Sequence, residues 1–127
     1  MYLERKLYGR LIDWKASERR KPLIIRGARQ VGKSTLVRAF SKEYNLFIEI
    51  NLERKEDLDL FKLSSAKEVL EALLLRESKV IHKDTLLLFI DEIQESPEAI
   101  QMLRFFYEEY PEIHLICAGS LLEFALK

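Results

Sequence analysis

The chain has 127 residues, of which 48% are hydrophobic and 33% charged, and its 21 Lys+Arg are matched by 21 Asp+Glu. That composition excludes the disordered, collagenous and fibrous classes, and the length suits one domain able to bury its own core. A single cysteine excludes an internal disulfide framework and fits a reducing compartment. No segment reaches the ~18 apolar residues of a membrane span, and residues 1–6 lack an apolar signal core. The expectation is a cytoplasmic protein without membrane contact.

In chain order, Leu3, Leu7 and Leu11 with Tyr8 and Ile12 predict an amphipathic helix over 2–16. A polar connector, Ser17 to Pro22, leads into a short apolar strand at Leu23-Ile24-Ile25, where a proline is tolerated at the entry. A loop from Gly27 to Gly32 follows, then a helix over 33–44 carrying Leu36, Val37 and Phe40. Phe47 to Ile50 predicts a second strand ending at Asn51. The charged stretch 52–64 shows no clear pattern. Val69, Leu70, Leu73 and Leu74 predict a helix over 66–79. Leu86 to Ile90 is apolar without alternation, which suits a strand covered on both faces of a parallel sheet. Ser96-Pro97 starts another helix, running to Pro111. Ile113 to Cys117 forms a fourth strand, and Leu121 to Leu126 begins a further apolar segment. Strands alternating with helices predict an α/β fold: a parallel sheet with helices on both faces.

The balanced total charge hides a polarity along the chain. Residues 1–42 hold 12 Lys/Arg against 3 Asp/Glu, a balance of +9, while residues 43–127 hold 9 against 18, a balance of −9. Such asymmetry points to an anionic ligand or a charged partner.

Gly27-Ala28-Arg29-Gln30-Val31-Gly32-Lys33-Ser34 satisfies the phosphate-loop pattern GxxxxGK[ST] in full. Glycine permits the tight wrap, and successive backbone N–H groups then converge on phosphate oxygens at a helix N-terminus. Lys33 reaches the β- and γ-phosphates, and the Ser34 hydroxyl joins a magnesium shell. The expected cradle is Gly27, Ala28, Arg29, Gln30, Val31, Gly32, Lys33, Ser34 and Thr35, holding ATP with Mg2+. Leu86 to Ile90 followed by Asp91-Glu92 supplies the second half of such a site. The strand aims Asp91 at the metal, and Glu92 orients or deprotonates the attacking water. The Asp-Glu pair argues against a nucleotide or small-molecule kinase, and the lack of an NKxD motif argues against a GTPase.

Other polar residues close the strand ends. Asn51 either holds Glu92 in an inactive orientation or begins a turn. Ser120 either senses the γ-phosphate or caps the helix after it through Ser120-Leu121-Leu122-Glu123. Arg26 and Arg29 flank the loop, and Gln94 lies beside the acidic pair. His82 and His114 have no metal-ligand partners at useful spacing. Cys117, Trp14 and the remaining aromatics read as packing.

Together, GARQVGKS, LLLFIDEIQ and ICAGSLLEFAL resemble the prokaryotic AAA+-type ATPase domain, a group usually followed by a C-terminal domain of unknown function. The resemblance implies sheet order 5-1-4-3-2. It implies that Lys33, Ser34, Asp91 and Glu92 occupy nucleotide and catalytic positions, with Ser120 as the polar sensor and Glu92, Lys33 and Ser120 forming the catalytic set. It divides the chain into a basic helix and connector (1–22) and a P-loop ATPase core (23–127), incomplete at four of five strands and ending before the fifth strand and lid. The function expected is MgATP hydrolysis in the full-length protein, moving an attached C-terminal domain not present in this chain. A homo-oligomer is a further expectation. The competing reading is a nucleotide-dependent switch contacting DNA or protein through the basic helix without turnover.

Overall fold

Five consecutive apolar residues, Leu86 to Ile90, form the centre of the molecule, each no more than 1% exposed. The computed structural model describes residues 2–18, 20–26, 32–77 and 86–119. Its strands are β1 (Leu23–Arg26), β2 (Leu46–Asn51), β3 (Leu86–Asp91) and β4 (His114–Gly119). Its α-helices are α1 (Tyr2–Ala16), α2 (Gly32–Phe40), α3 (Lys55–Leu60), α4 (Ala66–Arg76) and α5 (Pro97–Glu109). The strands are all parallel, in the order β1-β4-β3-β2. The insertion of β4 between β1 and β3 agrees with the order implied by the resemblance, and among the described residues no fifth strand flanks β1.

Alternate residues of the sheet feed two cores, because side chains along a strand point to opposite faces. On one face Leu46, Ile48, Ile50, Leu88, Ile90 and Cys117 pack with Phe61, Val69, Leu73 and Phe106 from the α3–α4–α5 side. On the other, Leu87, Phe89, Ile116 and Ala118 pack with Val37 and Phe40 of α2 and Leu11 of α1. Cys117 is fully buried, and its thiol pKa is pushed up by desolvation. It is therefore expected to resist Ellman's reagent in the native state and to react fully in denaturant. The unfolded thiol ionises near pH 8.5 and the folded one well above it. Native stability is thus complete below that value and falls by up to about 1.4 kcal/mol per pH unit above it. Alkaline urea titrations check the slope.

The leading helix is tied down by aromatic contacts. Tyr8 meets Phe40 edge-on at 5.9 Å, and Trp14 meets His114 at 5.6 Å. The Tyr44 hydroxyl hydrogen-bonds Nδ1 of His114. Burial raises the pKa of the Tyr44 phenol, opposed by nearby Arg20. Lys15 sits 5.1 Å over the Tyr44 ring, a cation–π distance. Arg20 donates to the carbonyls of Lys15 (2.9 Å) and Pro111 (3.4 Å), and the Trp14 indole donates to that of Lys21 (2.8 Å). Part of the basic N-terminal excess thus has a structural task. Arg5, Lys6, Arg10 and Lys21 remain exposed.

Most element boundaries agree with the patterns to within a few residues. The helix predicted over 33–44 stops as α-helix at Phe40 and closes in a 3₁₀ turn, Ser41–Glu43. The helix predicted over 66–79 ends at Arg76 with Glu77 as its C-cap, and residues 78–79 lie outside the described residues. Helix α3 interrupts the stretch that shows no pattern. Leu58 and Leu60 pack partly buried against the core, but the buried residue of the helix is a charge: Asp57, only 4% exposed, receives Arg76 at 2.6 Å and the backbone N–H of Asn51 at 2.9 Å. Arg76→Ala would leave that carboxylate with only the backbone donor. Because Arg76 is itself about one-third exposed, the expected loss is about 2 kcal/mol, between surface and buried pairs. Urea unfolding measures it, and an unchanged midpoint would show that the pair contributes nothing.

Candidate nucleotide site

Parallel strands bring their carboxyl ends to one edge, where ligands of α/β sheets bind. The register pairs Arg26 with Gly119 and Asn51 with Asp91 at that edge. Helix α2 starts there at Gly32, so its first N–H groups and the positive end of its dipole face the same space. Gly27, Ala28, Arg29, Gln30 and Val31 lie outside the described residues, as do His82, Ser120 and the segment 121–126. For Arg26, only its place at the end of β1 is described.

The described half of the motif converges with the acidic strand end. The Ser34 hydroxyl donates to Oδ2 of Asp91 at 3.0 Å, joining α2 to β3. The Lys33 ammonium is 3.4 Å from the Gly119 carbonyl, which holds it over the end of β4. Thr35 is exposed on the first turn of α2. The second oxygen of Asp91 accepts the N–H of Glu92 at 2.9 Å, which fixes the carboxylate's rotation.

Glu92 has the positive φ of a left-handed residue, 55°, the sole non-glycine case among the described residues. Such a conformation costs about 1–2 kcal/mol. It bends the chain sharply out of β3 into a 3₁₀ turn, Ile93–Glu95, and fully buried Ile93 anchors that turn. Ser96, also buried, then caps α5 by accepting the Ala99 N–H at 2.9 Å. Within the turn, the Gln94 amide donates to Oε1 of Glu92 at 2.8 Å.

Asn51 uses its side-chain oxygen to accept the Glu53 N–H at 2.9 Å, which is the turn-forming role. It also lines a polar cavity of about 320 Å³ with Arg38, Glu49, Arg54 and Asp91. Arg38 lies one turn beyond Ser34 on α2 and makes two bonds to the Glu49 carboxylate, 2.9 and 2.7 Å. That contact, more than the charge of Asp91, raises the pKa of its guanidinium. Sequence reasoning singled out neither Arg38 nor Glu49. The i,i+4 spacing from Ser34 was available as a signal for Arg38, but Glu49 enters only through the sheet order. A larger cavity, about 480 Å³, lies between the 61–66 connector and α5 and holds none of these site residues.

A family model described as an AAA domain matches residues 19–127. The chain belongs to the AAA domain family. Among solved structures, this AAA domain is similar to the Orc1 protein of Aeropyrum pernix, solved in complex with DNA, at 18% identity and a TM-score of 0.62. The match covers 97% of this chain but 39% of the Orc1 chain. At that identity the likeness is one of fold. A comparison with curated proteins finds no match. The parallel four-stranded sheet with its helices is thus an AAA+-type P-loop fold. No helix among the described residues is long and apolar enough to cross a membrane.

Proposed function

We propose that this AAA domain binds MgATP at the α2 N-terminus and, in the protein that carries it, couples hydrolysis to movement of an attached domain. The observation that carries the reading is the 3.0 Å contact between Ser34 and Asp91. A hydroxyl and a carboxylate from elements far apart in sequence meet beside the lysine of the motif. Two oxygen ligands suit magnesium, which prefers carboxylate and hydroxyl oxygens with phosphate and water completing its shell. When bound, the ion neutralises charge on the phosphates. Lys33 adds a second positive charge, and the backbone around it supplies the donors. Glu92, one residue beyond the metal carboxylate, is placed to orient and deprotonate water. Ser120 is assigned the polar sensor role from its match to the family pattern.

Calorimetric titration with MgATP tests the reading, with Lys33→Ala as the comparison. Absence of binding by the wild-type chain overturns it. Release of ADP only when an acceptor is added would identify a kinase instead. The exposed Arg5, Lys6 and Arg10 on α1 favour a second role in which the helix contacts DNA or an acidic protein. A DNA contact of that kind weakens steeply as salt rises.

A further inference from the structure

Two details of the turn after β3 are left over by the nucleotide reading. The first is the Gln94–Glu92 hydrogen bond, 2.8 Å between side chains two positions apart. Residues i and i+2 do not face each other on a helix. Here they meet because the left-handed backbone at Glu92 swings the chain into the Ile93–Glu95 turn. That turn is closed by the Glu95 N–H on the Glu92 carbonyl at 3.0 Å and the Ser96 N–H on the Ile93 carbonyl at 3.2 Å. The platform under Gln94 is therefore fixed at both ends.

The second detail is the other end of the same amide. Its Oε1 is buried and has no hydrogen-bond partner among the described residues. The orientation follows from chemistry, since an oxygen turned toward the carboxylate would be repelled. A buried acceptor without a partner is unfavourable. If this position served packing alone, a methionine of similar length would fill it without that penalty. The glutamine is explained by what its N–H does at Glu92.

We propose that Gln94 is the positioning residue for Glu92: its amide N–H holds one carboxylate oxygen and so sets the orientation of the side chain. An amide suits this task. It donates a hydrogen bond without a formal charge, so its own contact orients the carboxylate without adding a positive charge to it. A lysine or arginine there would favour the charged carboxylate and weaken it as a base. The inference rests on the ATPase reading of Glu92 and adds the group that orients it.

The test compares Gln94→Met, Gln94→Glu and Glu92→Gln in turnover, MgATP affinity and melting temperature, with a side-chain amide NMR spectrum of wild type and Glu92→Ala. Gln94→Met preserves length and removes the donor. It is expected to lower kcat about tenfold or more, as loss of orientation does, with MgATP affinity and melting temperature unchanged or the latter raised. Gln94→Glu sets two carboxylates against each other and is expected to lower kcat further, with binding kept. The Gln94 amide signal, identified by its absence in Gln94→Met, is expected to exchange slowly in wild type and rapidly in Glu92→Ala. Wild-type kcat in both Gln94 variants beside an inactive Glu92→Gln overturns the inference alone. So does a Gln94 amide indifferent to Glu92→Ala, or a kcat loss that merely follows a lowered melting temperature. Full turnover by Glu92→Gln, or none by wild type, overturns the base reading and the inference with it.

Discussion

Glu92→Gln is expected to lower steady-state ATP turnover by about 100-fold or more while leaving MgATP affinity near wild type, because removing a general base typically costs 10²–10⁴-fold. The expected split follows from where Glu92 sits. Asp91 and Ser34 meet through their own contact, and the rotation of Asp91 is set by the backbone N–H of Glu92, not its side chain. The substitution keeps that N–H, the left-handed backbone and a polar group facing Gln94. It removes the negative charge that, on the proposed reading, accepts a proton from water. A loss of binding equal to the loss of turnover would instead place Glu92 among the nucleotide ligands. Turnover at the wild-type rate would remove it from the chemistry.

Lys33→Ala is expected to weaken MgATP binding about 100-fold, equivalent to about 2.7 kcal/mol. That is the upper part of the range for a hydrogen bond to a charged partner. The side chain rises from the first turn of α2 and is steered by the Gly119 carbonyl toward the end of β4. Truncation removes the one formal positive charge on that turn, since Gly32, Ser34 and Thr35 are neutral. Helix α2 itself should persist, because its core contacts run through Val37 and Phe40. Calorimetry and thermal melting together separate the outcomes. Unaltered affinity at unaltered stability would refute the phosphate role.

Much of this arrangement follows from short-range patterns. The unbroken apolar run of β3 specifies a strand covered on both faces, and the structure buries it completely. The GKS triplet and the Asp91-Glu92 pair are readable as a candidate site because the proposed nucleotide chemistry requires those residue types next to a strand and a helix. What periodicity does not reveal depends on charge or on backbone angle. Helix α3 is hidden because its buried residue is Asp57, satisfied by Arg76 across the fold. The Gln94–Glu92 contact exists only because one residue takes a positive φ, and a glutamate there carries no such signal. His114, inside the strand predicted from Ile113 to Cys117, does lie on β4, but its contact to Tyr44 depends on tertiary placement.

The position of β4 also bears on how the molecule assembles. Strand β1 finds its hydrogen-bonding partner in β4, and β3 borders β4 on its other side. A chain emerging from the ribosome can pair β2 with β3 early, but β1 must wait for a partner encoded after both of them. Such non-local, parallel closure is slow, since loop entropy is lost before contacts compensate. The Lys33–Ser34 half and the Asp91–Glu92 half of the candidate site are carried on opposite sides of that seam. Synthesis halted before residue 114 would yield both halves without the strand that joins them, so nucleotide binding should appear late, as a reporter of the finished sheet.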